Sequence, residues 1–303
     1  MGLSLYNIKK WTKMLTGKSI MHVNQDMGKC YVPGEIKGYF NNLTDKVLKD
    51  PETLKKRTIP VTTDEKAGKV YFPVAIIQYG LGAYDLYLMS HKKIYLDQFW
   101  RCVDYISEHQ LENGAWNNFG FVYPDAPYGA MCQGEACSLL LRAHKESGNN
   151  KYLSQAKRAI DFMLIPLREG GTSEYKGDDL YLYEFTNKPV VLNGWIFSLF
   201  GLYELAVVTR GQKYEDNLER TVQTLIRTLP IFDNGYWSMY DMGKRIASPF
   251  YHNLHVAQMQ ALTETFHSKI FLDYYKKFKG YQANKSNEIR AFIKKAFQKL
   301  TEK

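Results

Sequence analysis

The sequence has no run of about 18 consecutive apolar residues, the length a membrane-spanning helix requires, so no integral membrane segment is expected. Residues 1–18 are basic but lack a continuous apolar core, which argues against a secretory leader. Gly2 is followed by Leu3, Ser4, Leu5 and Tyr6, without the Ser or Thr of a myristoylation signal. Cysteine is scarce. Cys30, Cys102, Cys132 and Cys137 have no metal-ligand spacing and, with no leader, read as free thiols. These absences together predict a cytoplasmic chain. No nucleic-acid motif accompanies the net charge of +9, so no nucleic-acid partner is expected.

That charge is concentrated at the two ends. Residues 276–303 carry nine Lys/Arg against two Glu, and residues 1–58 carry eleven against five acidic residues, leaving the middle slightly acidic. A solvated basic face and a surface attracting an acidic polymer both fit this distribution. Hydrophobic content of 45% in 303 residues suffices for one large core. Aromatics are plentiful at 15%, with 23 Tyr, as suits a cleft that stacks rings on sugars and hydrogen-bonds their hydroxyls.

Three turns repeat: Glu112-Asn113-Gly114-Ala115-Trp116, Glu169-Gly170-Gly171-Thr172-Ser173 and Asp233-Asn234-Gly235-Tyr236-Trp237. Each follows an amphipathic stripe, such as Leu96, Phe99, Trp100, Val103 and Ile106, and precedes a helix that is apolar on most sides. The apolar members lie near 73–88, 129–143, 190–205 and 251–265. A helix buried on most sides must be surrounded by others. The pattern therefore predicts an all-α fold, an α/α toroid with about four inner helices over 61–303, its glycine turns supplying left-handed residues that end outer helices. Residues 1–60 break the period and read as an N-terminal arm of short strands or turns. At the other end, Ile289, Phe292, Ile293, Ala296, Phe297 and Leu300 make a stripe read as docking on the toroid, with membrane contact as the alternative.

Polar groups stand out inside the last apolar helix. Tyr251 and His255 are four apart and His252 and His255 three apart, so phenol and imidazole crowd adjoining faces. Buried histidines also occur simply as hydrogen-bonded core residues. Tyr128, Glu184, Tyr240 and Tyr251 all lie in or just after connections from outer to inner helices, which in a toroid gather at one end. The long aromatic segment Glu174–Lys188 reads as a functional loop.

Several segments share an order and spacing: Phe72-Pro73 with Gln78-Tyr79-Gly80-Leu81; Tyr128-x-Ala130-Met131-x-Gln133-Gly134; Tyr183-Glu184; Val191-Leu192-Asn193-Gly194; Tyr240-Asp241; and Tyr251-His252-x-x-His255-x-x-Gln258-x-Gln260. In that order they resemble the C-terminal catalytic domain of D-glucuronyl C5-epimerases, which convert glucuronate to iduronate within heparosan-type polysaccharides. The resemblance implies an α/α barrel, often a homodimer. It implies that Tyr128, Glu184 and Tyr251 match the family's active-site Tyr, Glu and Tyr, with Tyr240 close by. The chain departs from the animal enzymes in two ways: residues 1–60 cannot contain their large β-domains, and Met242-Gly243-Lys244-Arg245 replaces a longer loop carrying an Arg soon after Asp.

The C5 hydrogen of a uronate is acidic because it lies α to a carboxylate. Its removal needs that carboxylate neutralised, a base on one face of the sugar and an acid on the other. Glu184 and Tyr251 are the expected pair, with Tyr128 in support. A phenol acting as base at neutral pH needs its pKa lowered by about two to three units. Lys244, Arg245, His252 or His255 could supply the positive field or shield the substrate carboxylate. Gln133, Tyr183, Asn193 and Trp116 complete the candidate substrate contacts. His252 and His255 have no third ligand at convincing spacing, so neither metal nor cofactor is expected. Glu135 and Glu204 read as structural. A uronate lyase shares the first proton abstraction, and a non-catalytic polysaccharide-binding toroid remains the alternative from another class.

Overall fold

The computed structural model describes residues 22–301, save the side chain of Leu300. The leader and acylation expectations on residues 1–21 lie outside the described residues. Two short helices, α1 (Thr44–Leu48) and α2 (Pro51–Lys56), and a small antiparallel hairpin, β1 (Thr62–Asp64) with β2 (Gly68–Val70), come first. The strands thus follow the arm, while its described part holds helices and a single bridge between Met27 and Asn41.

An α/α toroid follows. Inner and outer helices alternate as α3 (Pro73–Ser90), α4 (Lys93–Glu108), α5 (Ala130–Ser147), α6 (Asn150–Met163), α7 (Leu192–Thr209), α8 (Gln212–Thr228), α9 (Pro249–Phe266) and α10 (Lys269–Ala283). The odd-numbered members form the inner ring, α3 against α5, α5 against α7 and α7 against α9. Their sequences are apolar on most sides, and Ile76, Leu139, Phe200 and Met259 are among residues wholly removed from water. Each such side chain contributes about 1.5–3 kcal/mol through burial. The outer helices bury one stripe only, as Phe99, Val103 and Ile106 show on α4. By length and composition α7 could cross a membrane, but 78% of that stretch is buried inside the ring.

Left-handed residues are placed differently from expectation. His91, Gly148, Arg210 and His267 close the inner helices in that conformation. Gly114, Gly170 and Gly235, all at positive φ, lie farther on, in the loops crossing from outer to inner helices. In two of those loops Trp116 and Trp237 serve as buried anchors, their indole N–H groups donating to the Ile106 and Ala247 carbonyls at 2.8 and 3.1 Å.

The arm lies between the last and first inner helices. Tyr39, Phe40, Leu43 and Val47 are fully buried in the ring's core, with Phe40 stacked on Phe200 at 3.9 Å. Tyr31 hydrogen-bonds Thr265 of α9 at 2.6 Å, and Leu43 lies against Gly82 of α3 where a Cβ would clash. Arg142 pins the arm from beneath, donating to the Lys37 and Gly38 carbonyls at 2.9 and 3.0 Å while forming a buried bidentate pair with Glu204 at 2.8 and 2.9 Å.

Two elements differ from their sequence reading. The Glu174–Lys188 segment overlaps an antiparallel hairpin, β3 (Ser173–Lys176) with β4 (Asp179–Leu182), because Leu180 and Leu182 alternate inward and Gly177 turns at positive φ. The last helix, α11 (Lys285–Thr301), docks through its polar side. Ile289, Phe292, Ile293 and Phe297 stay exposed, whereas Ala291 is buried and Gln298 is hydrogen-bonded to the 244–246 loop.

Candidate functional site

Every inner helix begins at the same end of the ring, and backbone bonds stitch those beginnings together. Asn118 Oδ1 accepts from Val74 N at the start of α3 at 3.1 Å, and Ala130 N at the start of α5 donates to the Tyr183 carbonyl at 2.8 Å. Leu192 N at the start of α7 donates to the Tyr240 carbonyl at 3.0 Å, and Met242 N returns to the Val190 carbonyl at 3.0 Å. Glu184 is thereby held between the starts of α5 and α7. The first turn of α7 accommodates it only because residue 194 is glycine: a Cβ there would overlap the Glu184 Cβ and Oε2.

Glu184 is buried at 9% exposure, and its Oε2 has no hydrogen-bond partner. Burial pushes its carboxyl up to about 8, opposed by the positive charge of Arg245. Arg245 itself pairs with the fully buried Asp241, and its guanidinium lies 5.2 Å from the centre of the Tyr240 ring. Tyr240 and Tyr251 are 4.9 Å apart, centre to centre. Both phenols are raised by burial and by the Glu184 charge, while a hydrogen bond with Tyr240 works in the other direction at Tyr251. Glu184, Tyr240, Tyr251, Asp241 and Arg245 therefore form one coupled cluster.

The expected lowering of a phenol is not found. Desolvation outweighs the Arg245 charge, so both tyrosines stand as neutral acids. The histidines do not supply positive charge either. Ser238 joins His252 Nδ1 and His255 Nδ1 at 2.8 Å each, His252 Nε2 donates to the Phe278 carbonyl at 3.0 Å, and Trp237 stacks on His252 at 3.7 Å. Desolvation lowers His252 to about 4 and His255 well below its usual range, so both are neutral near pH 7.

Other candidates divide between the cluster and the scaffold. Gln133, Asn193, Gln258 and His255 each retain a buried side-chain atom with no hydrogen-bond partner: Oε1, Oδ1, Oε1 and Nε2 respectively. Gln258 Nε2 donates to the Asn193 carbonyl at 3.1 Å, which places two of these groups together. Buried groups of this kind cost free energy unless something pairs with them, so they are apt for a polar ligand. Tyr128 immediately precedes Gly129, which lies against the Glu184 carbonyl, but its ring meets Phe162 of α6 at 5.0 Å. Tyr183 is turned to β3, where its hydroxyl donates to Glu174 at 2.6 Å. Trp116 is a core anchor, and the Lys244 side chain is exposed.

Sequence reasoning overlooked Gly194, Asp241 and Gln258 as members of the site. The first two stood in view as Asn193-Gly194 and as an acid four residues before Arg245. Among the described residues no group of three or more His, Cys, Asp or Glu is placed to hold a metal ion.

The arrangement offers a protonatable carboxyl, two phenols and a guanidinium around unpaired amides, which is acid–base equipment for an anionic polar ligand. A model of the D-glucuronyl C5-epimerase C-terminus matches residues 108–280. The D-glucuronyl C5-epimerase of Caenorhabditis elegans is 28% identical over 187 residues, covering 52% of this chain and 30% of that protein. Uncharacterized protein MJ1128 of Methanocaldococcus jannaschii is 30% identical over 157 residues, covering 50% of this chain and 51% of its own. The matches thus span about half or less of these relatives' lengths. In fold alone, the GH76A α-1,6-mannanase of Salegentibacter sp. HEL1_6 superposes with a TM-score of 0.52 at 12% identity, covering 83% of this chain and 82% of that one. For the unsaturated glucuronyl hydrolase of Bacillus sp. GL1 the score is 0.51 at 11% identity, covering 94% and 82%.

Proposed function

The chain belongs to the D-glucuronyl C5-epimerase C-terminal family, and from that premise we propose that it is an isomerase converting D-glucuronate to L-iduronate within a heparosan-like acidic polysaccharide. The observation that carries the reading is Glu184: buried, unpartnered at Oε2, and electrostatically coupled to Tyr251, Tyr240 and Arg245. Arg245 holds the substrate carboxylate and stabilises the charge that develops when the C5 proton leaves. Ionised Glu184 takes the proton from one face, and the neutral phenol of Tyr251 supplies one to the other. Tyr240, hydrogen-bonded to Tyr251, relays and positions that proton. Inversion at C5 follows, and the reverse passage exchanges the two roles.

The deciding experiment is NMR of glucuronate polymers incubated with the protein in D2O. Deuterium at C5 together with iduronate signals is the expected result. Sustained growth of unsaturated-uronate absorbance would mean a lyase, and binding without deuterium uptake a carbohydrate-binding toroid. Because the base form of Glu184 is populated above its raised value of about 8, kcat/KM should climb with an acidic limb near that pH. All the groups invoked belong to the protein, so exchange should also survive exhaustive chelation. Loss on EDTA restored by a divalent ion would remove this mechanism.

Gly194→Ala tests the carboxylate's seat. The new methyl would stand 2.3 Å from Oε2 and 2.5 Å from the Cβ of Glu184, so the carboxyl must swing away and the main chain that carries that Cβ must shift as well. Alanine's better helix propensity, about 1 kcal/mol, offsets only part of that strain, so the melting temperature should fall modestly while the variant still folds. Exchange should fall about 100-fold. Near-normal exchange in this variant would mean that Glu184 need not sit where it does.

A further inference from the structure

The family match ends at residue 280, before α11 begins, yet that helix reaches the loop that carries Arg245. The loop is a hairpin whose internal ladder runs from Tyr240 N to the Arg245 carbonyl at 2.7 Å and from Ala247 N to the Ser238 carbonyl at 3.1 Å. Its outward backbone groups on either side of Arg245 are met by one side chain on α11. Gln298 Oε1 accepts from Ile246 N at 2.9 Å, and Gln298 Nε2 donates to the Lys244 carbonyl at 3.0 Å. The amide thus takes the place of a neighbouring strand. Lys244 turns the loop at φ 65°, a left-handed conformation unfavourable for a non-glycine residue, which persists only where the surroundings enforce it.

The same face of α11 makes two further contacts with this region. The Arg290 guanidinium lies 3.9 Å from the centre of the Tyr236 ring, and Lys295 Nζ lies 5.4 Å from the centre of the Tyr240 ring. Residues 290, 295 and 298 share that face by helical spacing, with buried Ala291 beside them. A helix that presents its apolar stripe to solvent and its polar side to a loop is held for what the polar side does.

We propose that α11 is a working part of the site, with Gln298 as the positioning residue that fixes the 244–246 backbone and so keeps the Arg245 guanidinium beside Asp241, Tyr240 and Glu184. Gln298 touches no reacting atom in this assignment; it acts through Arg245. The inference rests on the reading of Glu184 and Arg245 as site residues, and its test does not depend on knowing the substrate.

Gln298→Met keeps length and bulk but removes both hydrogen bonds. In protein labelled with 13C at glutamate carboxyls, the Glu184 resonance is identified by its loss in Glu184→Gln and followed through a pH titration. Arg245 opposes the upward displacement of Glu184, so a wandering guanidinium should move the Glu184 midpoint to higher pH. The expected result is a shift in Gln298→Met of the same sign as in Arg245→Met, with no further shift in the double variant. With a polymer that supports exchange, Gln298→Met should also lose about 10- to 100-fold in C5 exchange, and its acidic limb should move up with the titration. Gln298→Asn, one methylene short, should fall in the same direction and serves if the Met variant folds poorly. An unmoved Glu184 midpoint in folded variants, or a shift that adds to that of Arg245→Met, overturns the proposal. Absence of exchange in the parent protein would instead count against the epimerase reading and leave the titration to decide this one.

Discussion

Glu184→Gln is expected to lose net epimerisation by about 1,000-fold or more and, at the same time, to melt at a higher temperature than the parent. The activity loss follows from removing a titratable group whose proton transfer is worth about 100- to 10,000-fold. Tyr251→Phe should match it in net turnover while differing in isotope exchange. A variant lacking only the acid for one face can still wash hydrogen out from the other, and the surviving direction assigns the faces. Retained turnover in either variant would strike that residue from the mechanism. The stability gain has a definite pH signature. The folded-state value is raised from 4.5 to about 8, so between those limits the folded protein binds a proton that the unfolded chain has released, and stability falls as pH rises through that window. Glutamine escapes this penalty. The difference should be negligible near pH 4.5 and reach about 3 kcal/mol by pH 7, or about 5 °C in melting temperature for a chain of this size. Equal melting curves at pH 5 and pH 8 would show that the carboxyl is not buried as described.

Arg142→Met should produce the largest loss of stability. Arg142 is fully buried, pairs with Glu204 through two hydrogen bonds, and holds the Lys37, Gly38 and Ser138 carbonyls. Removing the guanidinium leaves a lone buried carboxylate and three carbonyls without their donor. Breaking one side of such a pair costs about 3–5 kcal/mol, hence about 5–10 °C in melting temperature. Glu204→Gln added to Arg142→Met should recover part of the loss, because the stranded charge is then gone. Calorimetry of the single and double variants checks this. A single variant within about 1 kcal/mol of the parent would mean that water reaches Glu204.

The inner helices were legible because their apolar residues leave no wet face, a pattern that dictates a surrounding ring whatever the loops do. The cluster itself was legible only in part. Tyr240, Tyr251, Glu184 and Arg245 do converge, but Glu184 stood out only as one residue of a long aromatic connection, and its role came from the resemblance. Burial is what inverted the roles of the others. His252 and His255 look like cations in a sequence, and their neutrality comes from Trp237, Ser238 and Phe278, which are distant in the chain or not visibly turned toward them. Trp116 read as a candidate substrate contact, but its indole is turned into the core, where the Ile106 carbonyl holds it. The last helix was misjudged for a related reason. An apolar stripe suggests which side is hidden, whereas Arg290, Lys295 and Gln298 look the same in sequence whether they meet water or a loop.

The arm gives the molecule an order of assembly. Each helical hairpin of the ring joins neighbours in the chain and can condense by itself, while Tyr31 meets Thr265 across a sequence separation of 234 residues. Contacts of that span form late, since the loop they close must first be ordered. On a ribosome, residues 22–47 emerge before the ring helices and must wait for α9. Through that interval Tyr39, Phe40, Leu43 and Val47 have no complete ring to enter, and the growing chain carries an exposed apolar segment until α9 arrives. Closing the ring is therefore a kinetic event that waits for α9, and the segment that seals the fold stays exposed to aggregation until then.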